Sequence, residues 1–381
     1  MIQRHDFFVL RQPAFPISTL TRFYDQLATH SFDDLLRQHY QNPLAQEAIF
    51  TASPTLYERF QRWLAGEVLP EQTKLLLTLH KYLIRMCSRA TPYGLFAGCT
   101  MGRFGDQSVY RAGTSATLRT HSRIDMDCLL AIGRWLTSLP HLRAQLKLYP
   151  NTSLYSAGAS LRYVEQQWET DHRNYFISAV EADQYLTTVL TAARTGSTIG
   201  ELATLLTDLQ TDADEAADFI EQLIDSQLLV FETEPTVTGR PYLDWLTERI
   251  ASLADTGPEV TALQTLMNGL QQGDRRQTYS HIRQWLLDRQ ISPPTSDLMQ
   301  VDSFFDNPTL QLGERAIQHL QRDLEKLLLL NQPAVCPDLD EFKRRFYNRY
   351  EDEGIPLTLA LDQEFGIGYG SGSTLGVGYA P

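Results

Sequence analysis

At about 100° per residue, Lys74, Lys81, Arg85 and Arg89 fall within an arc of roughly 80° on one side of a helix. The stripe runs into Thr91 and then Pro92-Tyr93-Gly94-Leu95-Phe96, a Pro/Gly turn able to hold side chains rigidly beside a strand. Guanidinium groups fixed there could grip phosphates or stabilise an oxyanion. Taken alone, a solvated basic helix face is the ordinary alternative. A second basic cluster, Lys343, Arg344, Arg345 and Arg349, offers the same choice between phosphate and water. Metal chemistry is not expected. Cys87, Cys99, Cys128 and Cys336 are scattered without a Cys-x-x-Cys pair, and His80, His121 and His281 lack metal-pair spacing.

The elements that must position these groups follow from periodicity and punctuation. Leu75, Leu76, Leu79, Tyr82, Leu83 and Met86 recur at three- and four-residue intervals opposite the basic stripe, and Pro92 forces the helix to stop near Thr91. Residues 7–10 read as a strand and 53–64 as a helix; 96–104 and 108–111 suggest paired strands. A helix spans 125–139, with Pro140 ending it. Residues 161–167 and 174–180 form a candidate hairpin, followed by helices at 182–194, 199–206 and 214–226 and a strand at 228–231. That order is expected of a winged-helix module, which binds DNA or peptide. Further on, 241–272 and 275–289 read as helices, 298–305 as a buried strand, 317–330 as a strongly apolar helix and 339–350 as the last helix. The glycines between Gly366 and Gly378 match no nucleotide-binding fingerprint and read as a flexible loop.

With 381 residues, 43% hydrophobic and 21% charged, the chain can bury more than one core, and disorder is excluded. A net charge of −13 argues against a general nucleic-acid coat. Asp212, Asp214, Glu215, Asp218, Glu221 and Asp225 on or before the third helix of the winged-helix-like stretch would repel phosphate, so DNA is not an expected partner. Few, scattered cysteines and no signal-peptide core point to a reduced, cytoplasmic protein.

The run from Arg85 to Gly98, RMCSRATPYGLFAG, resembles the signature of the lantibiotic dehydratase family. The likeness continues in Arg123-Ile124-Asp125, Gln300-Val301-Asp302, Phe346-Tyr347-Asn348-Arg349-Tyr350-Glu351, Pro356-Leu357, Leu361-Asp362 and Gly366-Ile367-Gly368-Tyr369. The resemblance implies an α+β fold of mixed helices and antiparallel sheets with an embedded winged-helix recognition element. It divides into a glutamylation region at 1–150, a leader-recognition element at 151–235 and a continuation of the glutamylation region at 236–381.

The family transfers glutamate from glutamyl-tRNA, a co-substrate, onto Ser or Thr hydroxyls of a ribosomally made precursor peptide, with no bound cofactor. By motif position the transfer residues carry over to Arg85, Arg89, Thr91, Asp125 and Asp302. Lys74, Lys81, Arg344 and Arg345 would contact tRNA. The family's leader peptide pairs with the third strand and packs on the third helix of its recognition element, which assigns Tyr175, Phe176, Ile177, Ser178, Ala179, Phe219 and Leu223 to leader binding. Asp125 has a bland alternative as a helix cap and Asp302 as an ion-pair partner. A leader-binding module without catalysis and a peptide aminoacyl-tRNA ligase would share these motifs. Family glutamylation domains run past the point matched by Pro381 and are followed by an elimination domain. The resemblance therefore implies poor transfer by this chain alone, a C-terminal half or separate elimination protein as partner, and room for a homodimer.

Overall fold

Capping side chains and first-turn prolines decide where the early helices begin. In the computed structural model, residues 2–111, 113–114, 117–169, 172–209, 211–271, 274–292, 297–307, 309–330 and 336–369 are described. Strand β1 (Phe7–Pro13) leads into helices α1 (Ile17–Gln26), α2 (Phe32–His39), α3 (Pro43–Ala52), α4 (Pro54–Leu64) and α5 (Gln72–Ser88). Ser31, Asn42 and Ser53 cap α2, α3 and α4 by accepting backbone N–H groups, and Pro43 and Pro54 sit where a missing donor costs nothing. Then come β2 (Ala97–Gly105), β3 (Leu118–Ile124), α6 (Met126–Ser138) and α7 (Pro140–Arg143). Short strands β4 (Leu148–Pro150) and β5 (Tyr155–Ala157) precede the hairpin of β6 (Ser160–Glu169) and β7 (His172–Glu181). Helices α8 (Gln184–Ala193), α9 (Ile199–Thr207) and α10 (Ala213–Asp225) follow, then β8 (Leu229–Phe231), α11 (Tyr242–Ala251), α12 (Gly257–Gln271) and α13 (Arg275–Asp288). The remainder is β9 (Met299–Phe305), β10 (Gln311–Gly313), α14 (Glu314–Leu330), α15 (Pro337–Tyr350) and α16 (Leu357–Leu361).

These elements sort into two compact units, each discontinuous in sequence, where the sequence suggested three consecutive regions. One comprises Met1–Asp125, Gly269–Arg283 and Asp297–Gln332; the other comprises Met126–Asn268, Gln284–Ser296 and Pro333–Pro381.

In the first unit β9 enters between β2 and β3, giving the order β1-β2-β9-β3, with β10 also on β2. β1 and β3 pair antiparallel with their neighbours, but β9 and β10 run parallel to β2. The sheet is therefore mixed, correcting the expectation of antiparallel sheets. Tyr40, Phe60, Trp63, Leu79 and Leu83 of the helical layer and Phe96 just before β2 form one buried cluster that includes Val301 of β9. Each such side chain contributes about 1.5–3 kcal/mol by leaving water.

In the second unit the hairpin is longer than expected, and β5 extends it on the β6 side. β8 pairs with β4. Asn151 and Gln227 reach back to the β6 backbone at Val164 and Gln166, at 3.1 and 2.8 Å, tying the hairpin to the turn after α10.

Other expectations need correction. Residues 108–111 do not pair with 96–104: β2 is already flanked by β1 on one side and by β9 and β10 on the other, and Val109 makes only an isolated bridge to Gln311. Residues 241–272 are two helices, because Asp255 takes a left-handed φ of 56° and Pro258 starts a new first turn. Pro140 opens α7 instead of merely ending α6. The apolar α14 buries Ile317 but leaves Leu320, Leu324, Leu327 and Leu328 exposed. The glycine-rich stretch beyond Tyr369 lies outside the described residues. No helix among the described residues is long and apolar enough to cross a membrane.

Candidate functional site

The turn after α5 is built by its own sequence and then pinned from afar. Arg89 leaves the helix in an extended conformation, with φ −112° and ψ 117°. Gly94 adopts φ +51°, a conformation that side-chain-bearing residues rarely take. Its carbonyl accepts a 2.7 Å hydrogen bond from the buried Ser303 hydroxyl of β9. The Phe96 N–H donates to the Tyr93 carbonyl at 3.0 Å, closing the turn.

Against this turn lies a cavity of about 390 Å³. Pro92, Tyr93 and Gly94 form one wall, Met299 to Phe304 of β9 another, and Thr51, Ala52 and Cys99 complete its apolar and hydroxyl lining. Three carboxylates enter it: Asp125 at the end of β3, Asp302 on β9, and Asp297 just before β9. The Asp125 N–H donates to Leu298 at 3.0 Å, so the β3–β9 pairing sets where this residue stands. Asp302 lies 3.4 Å from the Arg123 guanidinium on the neighbouring strand, and both partners are substantially exposed. An exposed pair of this kind is worth about 0–1 kcal/mol and leaves the carboxylate able to change partners. Such a chamber suits a cationic amine, and its carboxylates can accept a proton.

Arg85 reaches the site through an aromatic ring. Its guanidinium sits 4.9 Å over Tyr93 and 5.8 Å from the Phe96 centroid, and these rings stack at 5.8 Å. Its Nε is buried with no hydrogen-bond partner among the described residues. Burial pushes the Tyr82 phenol above its ordinary pKa, the neighbouring Tyr93 adds to this and Arg85 opposes it. Arg89 and Thr91 are exposed, and neither makes a side-chain hydrogen bond or ion pair among the described residues. The cavity thus brings together Asp125 and Asp302, touches Arg85 by way of Tyr93, and leaves Arg89 and Thr91 outside its wall.

Sequence reasoning did not single out Thr51, Asp297 or Ser303. Ser303 carried a signal nonetheless: it alternates with Val301 and Phe305, so a hydroxyl had to face the core and needed a partner there. Of the expected tRNA contacts, Lys74 is 3.7 Å from Glu71 and Lys81 is exposed, both on α5, while Arg344 makes a two-pronged contact with Glu341 on α15 beside Arg345.

Among the expected leader contacts in the second unit, Tyr175, Ile177 and Ala179 are exposed on one side of β7, and Phe176 and Ser178 are half-buried on the other. Ser178 donates to Glu165 at 2.7 Å. β7 pairs with β6 alone among the described residues. Phe219 lines a cavity of about 370 Å³ together with Tyr185, Leu206, Thr211, Asp183 and Glu215. Leu223 is buried in the core of the unit.

The family model for the N terminus of lantibiotic dehydratases matches residues 41–377. The epidermin biosynthesis protein EpiB of Staphylococcus epidermidis is 24% identical over 273 residues, covering 68% of this chain and 26% of EpiB. The crystal structure of the tRNA dependent lantibiotic dehydratase MibB from Microbispora sp. 107891 superposes with a TM-score of 0.75 at 23% identity, over 95% of this chain and 35% of MibB. The glutamylation domain TbtB from thiomuracin biosynthesis, bound to 5'-phosphodesmethylglutamycin, gives 0.58 at 17% identity, over 84% of this chain and 40% of that one. The chain thus spans about a quarter of EpiB and about a third of MibB. With its family model matched over most of its length and an α+β fold shared with MibB, the chain belongs to the lantibiotic dehydratase family, in its N-terminal part.

Proposed function

We propose that this chain receives the aminoacyl end of glutamyl-tRNA and a precursor peptide for glutamyl transfer onto Ser or Thr hydroxyls, the step that prepares dehydration. The observation that carries this reading is the meeting of Asp125, Asp302 and the Pro92–Tyr93–Gly94 turn in one cavity, in a chain whose family includes a tRNA dependent dehydratase. In the transfer a peptide hydroxyl oxygen bonds to the glutamyl carbonyl carbon and the bond to the ribose oxygen breaks. The hydroxyl proton passes to a carboxylate and on to the ribose oxygen. Asp302 is the acceptor in this scheme, because its exposed pairing with Arg123 leaves it free to exchange; Asp125 holds the α-ammonium. Arg85 fixes Tyr93, Arg89 offers an unpaired cation to phosphate, and Thr91 hydrogen-bonds the ester from the rim. No cofactor beyond the tRNA is required. Lys74, Lys81, Arg344 and Arg345 are assigned to outer phosphate contacts.

The leader peptide adds to the open edge of β7, with Tyr175 and Ile177 as its apolar contacts and the cavity beside Phe219 as a side-chain pocket. The stretch from β6 to β8 is then a winged-helix recognition element, and elimination of glutamate falls to a further domain or protein. Transfer of radiolabel from glutamyl-tRNA to a cognate precursor tests the scheme, with this chain alone and with the remainder of a dehydratase supplied. Asp302→Asn is expected to lower transfer about 100-fold or more while circular dichroism is unchanged. Undiminished transfer by a folded Asp302→Asn variant removes the assignment.

A further inference from the structure

One face of the five-stranded sheet in the first unit is exposed among the described residues. Strand alternation places Phe7, Val9 and Arg11 of β1 on the same side as Met101 and Arg103 of β2, and all five are exposed. Phe304 of β9 and Arg119, His121 and Arg123 of β3 continue the face, whereas Val301, Ser303 and Phe305 point into the core. The register threads one row across four strands: Arg11 opposite Cys99, Cys99 opposite Phe304, Phe304 opposite Arg119. In a chain of net charge −13, the strand positions on this face hold four arginines and a histidine against one carboxylate, Asp302, itself paired with Arg123. Arg11 and Arg103 have no side-chain partner among the described residues.

We propose that this open face is a platform for single-stranded RNA, with Arg11, Arg103 and Arg119 holding phosphates while Phe7, Met101 and Phe304 give unstacked bases flat apolar contacts. Cations set beside exposed apolar groups, Phe7 and Phe304 among them, on an exposed sheet suit single-strand recognition, since every base has a stacking face and every linkage a charge. A protein partner fits less well, because the core of a protein interface is depleted of charge, and here β1 and β2 each carry a guanidinium among their apolar positions while β3 carries two beside His121. A flat sheet face also cannot enter a duplex groove as a helix does. The face runs into the cavity through shared residues: Cys99, Asp302 and Phe304 belong both to the face and to the cavity lining. An RNA 3′ end lying along the sheet therefore ends in the chamber with Asp125 and Asp302. This rests on the glutamyl-tRNA reading, and it assigns the acceptor end to a surface distinct from the basic stripes on α5 and α15.

Fluorescence anisotropy with an uncharged RNA hairpin bearing a short single-stranded 3′ overhang, and with its blunt counterpart, tests the assignment. The overhang should tighten binding. The Arg11→Gln/Arg103→Gln double variant should weaken overhang binding about 10-fold at 0.1 M salt and flatten the salt dependence by roughly 0.7 per arginine removed, with unchanged circular dichroism. Arg22→Gln/Arg194→Gln, which removes two exposed arginines given no contact with RNA, should leave it within about two-fold. Equal affinity for both hairpins, or wild-type affinity in the folded double variant, overturns the proposal. So does dissociation of an oligomer by those substitutions, which would make the face a contact between copies. Because the RNA is uncharged, failed glutamyl transfer with patch-dependent RNA binding would sink the transfer scheme alone, and intact transfer with patch-independent binding would sink the platform alone.

Discussion

A guanidinium group can act by meeting the reacting atoms or by fixing a neighbour, and the two arginine placements in this chain show the difference. Arg85, read from its spacing as a candidate to grip phosphate or an oxyanion, spends its planar face on Tyr93 and Phe96. Arg162 was singled out by no motif, yet it is buried in a β6 site where its Nη1 donates to Asp362 at 2.9 Å and its Nη2 meets Glu364. Tyr155 donates to the same Asp362 oxygen at 2.8 Å, and the N–H groups of Glu364 and Phe365 donate to the other at 2.9 and 2.8 Å. Burial alone would raise the Asp362 pKa, but those hydrogen bonds and Arg162 outweigh it and hold the carboxyl below its ordinary value. The Leu361-Asp362 motif that marked the family is here a structural lock within the second unit. Asp362→Asn leaves Arg162 buried with half its compensation, and should cost about 3 kcal/mol in urea unfolding at pH 7. Since the folded pKa is depressed, this contribution is present above the unfolded carboxyl value near 4 and is lost as pH falls through the folded value. The wild type should therefore lose its advantage over the variant on acidification. A double substitution, Arg162→Met/Asp362→Leu, should recover part of the loss, because replacing a whole buried pair is milder than orphaning one partner.

Among the elements, those with strong local signals were legible, β1, β2 and β9 among them, but the distant partners with which those strands pair were not. α5 announced itself through its apolar repeat and Pro92, and the β6–β7 hairpin through its flanking polar turn. Helices α1 to α3 went unread because eight to ten residues carry too little periodicity, and short helices owe their stability to packing. β3, Leu-Arg-Thr-His-Ser-Arg-Ile, has no apolar alternation in its middle and is a strand because β9 pairs with all of it. The candidate site divides in the same way. The basic spacing ending at Arg89 and the turn from Pro92 to Phe96 were visible from residue types, the full run 85–98 with Asp125 and Asp302 only through a family likeness, Ser303 only as a hydroxyl within a buried alternation, and Asp297 not at all, since the cavity exists only once β9 has arrived. Gly98 measures how tightly that arrival is fitted. A Cβ there would stand 2.8 Å from the Phe305 ring and 3.2 Å from the Ser303 carbonyl. Gly98→Ala should destabilise the protein by about 1–3 kcal/mol in thermal unfolding and displace the wall that carries Ser303 and Phe304. A variant as stable as wild type would show that β2 and β9 are not in van der Waals contact at this point.

For the whole molecule, the consequence is that the candidate chamber depends on a strand delivered from the last third of the chain. Among the described residues β3 has no sheet partner other than β9, and β9 carries Val301, which is 5% exposed and belongs to the core cluster of the helical layer. Non-local pairing of this kind forms late and makes its members one cooperative element, because β3 cannot satisfy its backbone until β9 docks. Hydrogen exchange reads such cooperativity directly. In the native protein the amides of Leu118–Ile124 and Met299–Phe305 should share one opening free energy despite their distance in sequence. Val301→Asp, which puts a carboxylate into the core without a partner, should lower that shared protection by about 3 kcal/mol or more. The amides of the β6–β7 hairpin, held by their own register and by Asn151 and Gln227, should keep theirs. Exchange of β3 unchanged while β9 opens would mean that β3 is held by something other than this pairing, and the chamber would then not depend on the arrival of β9.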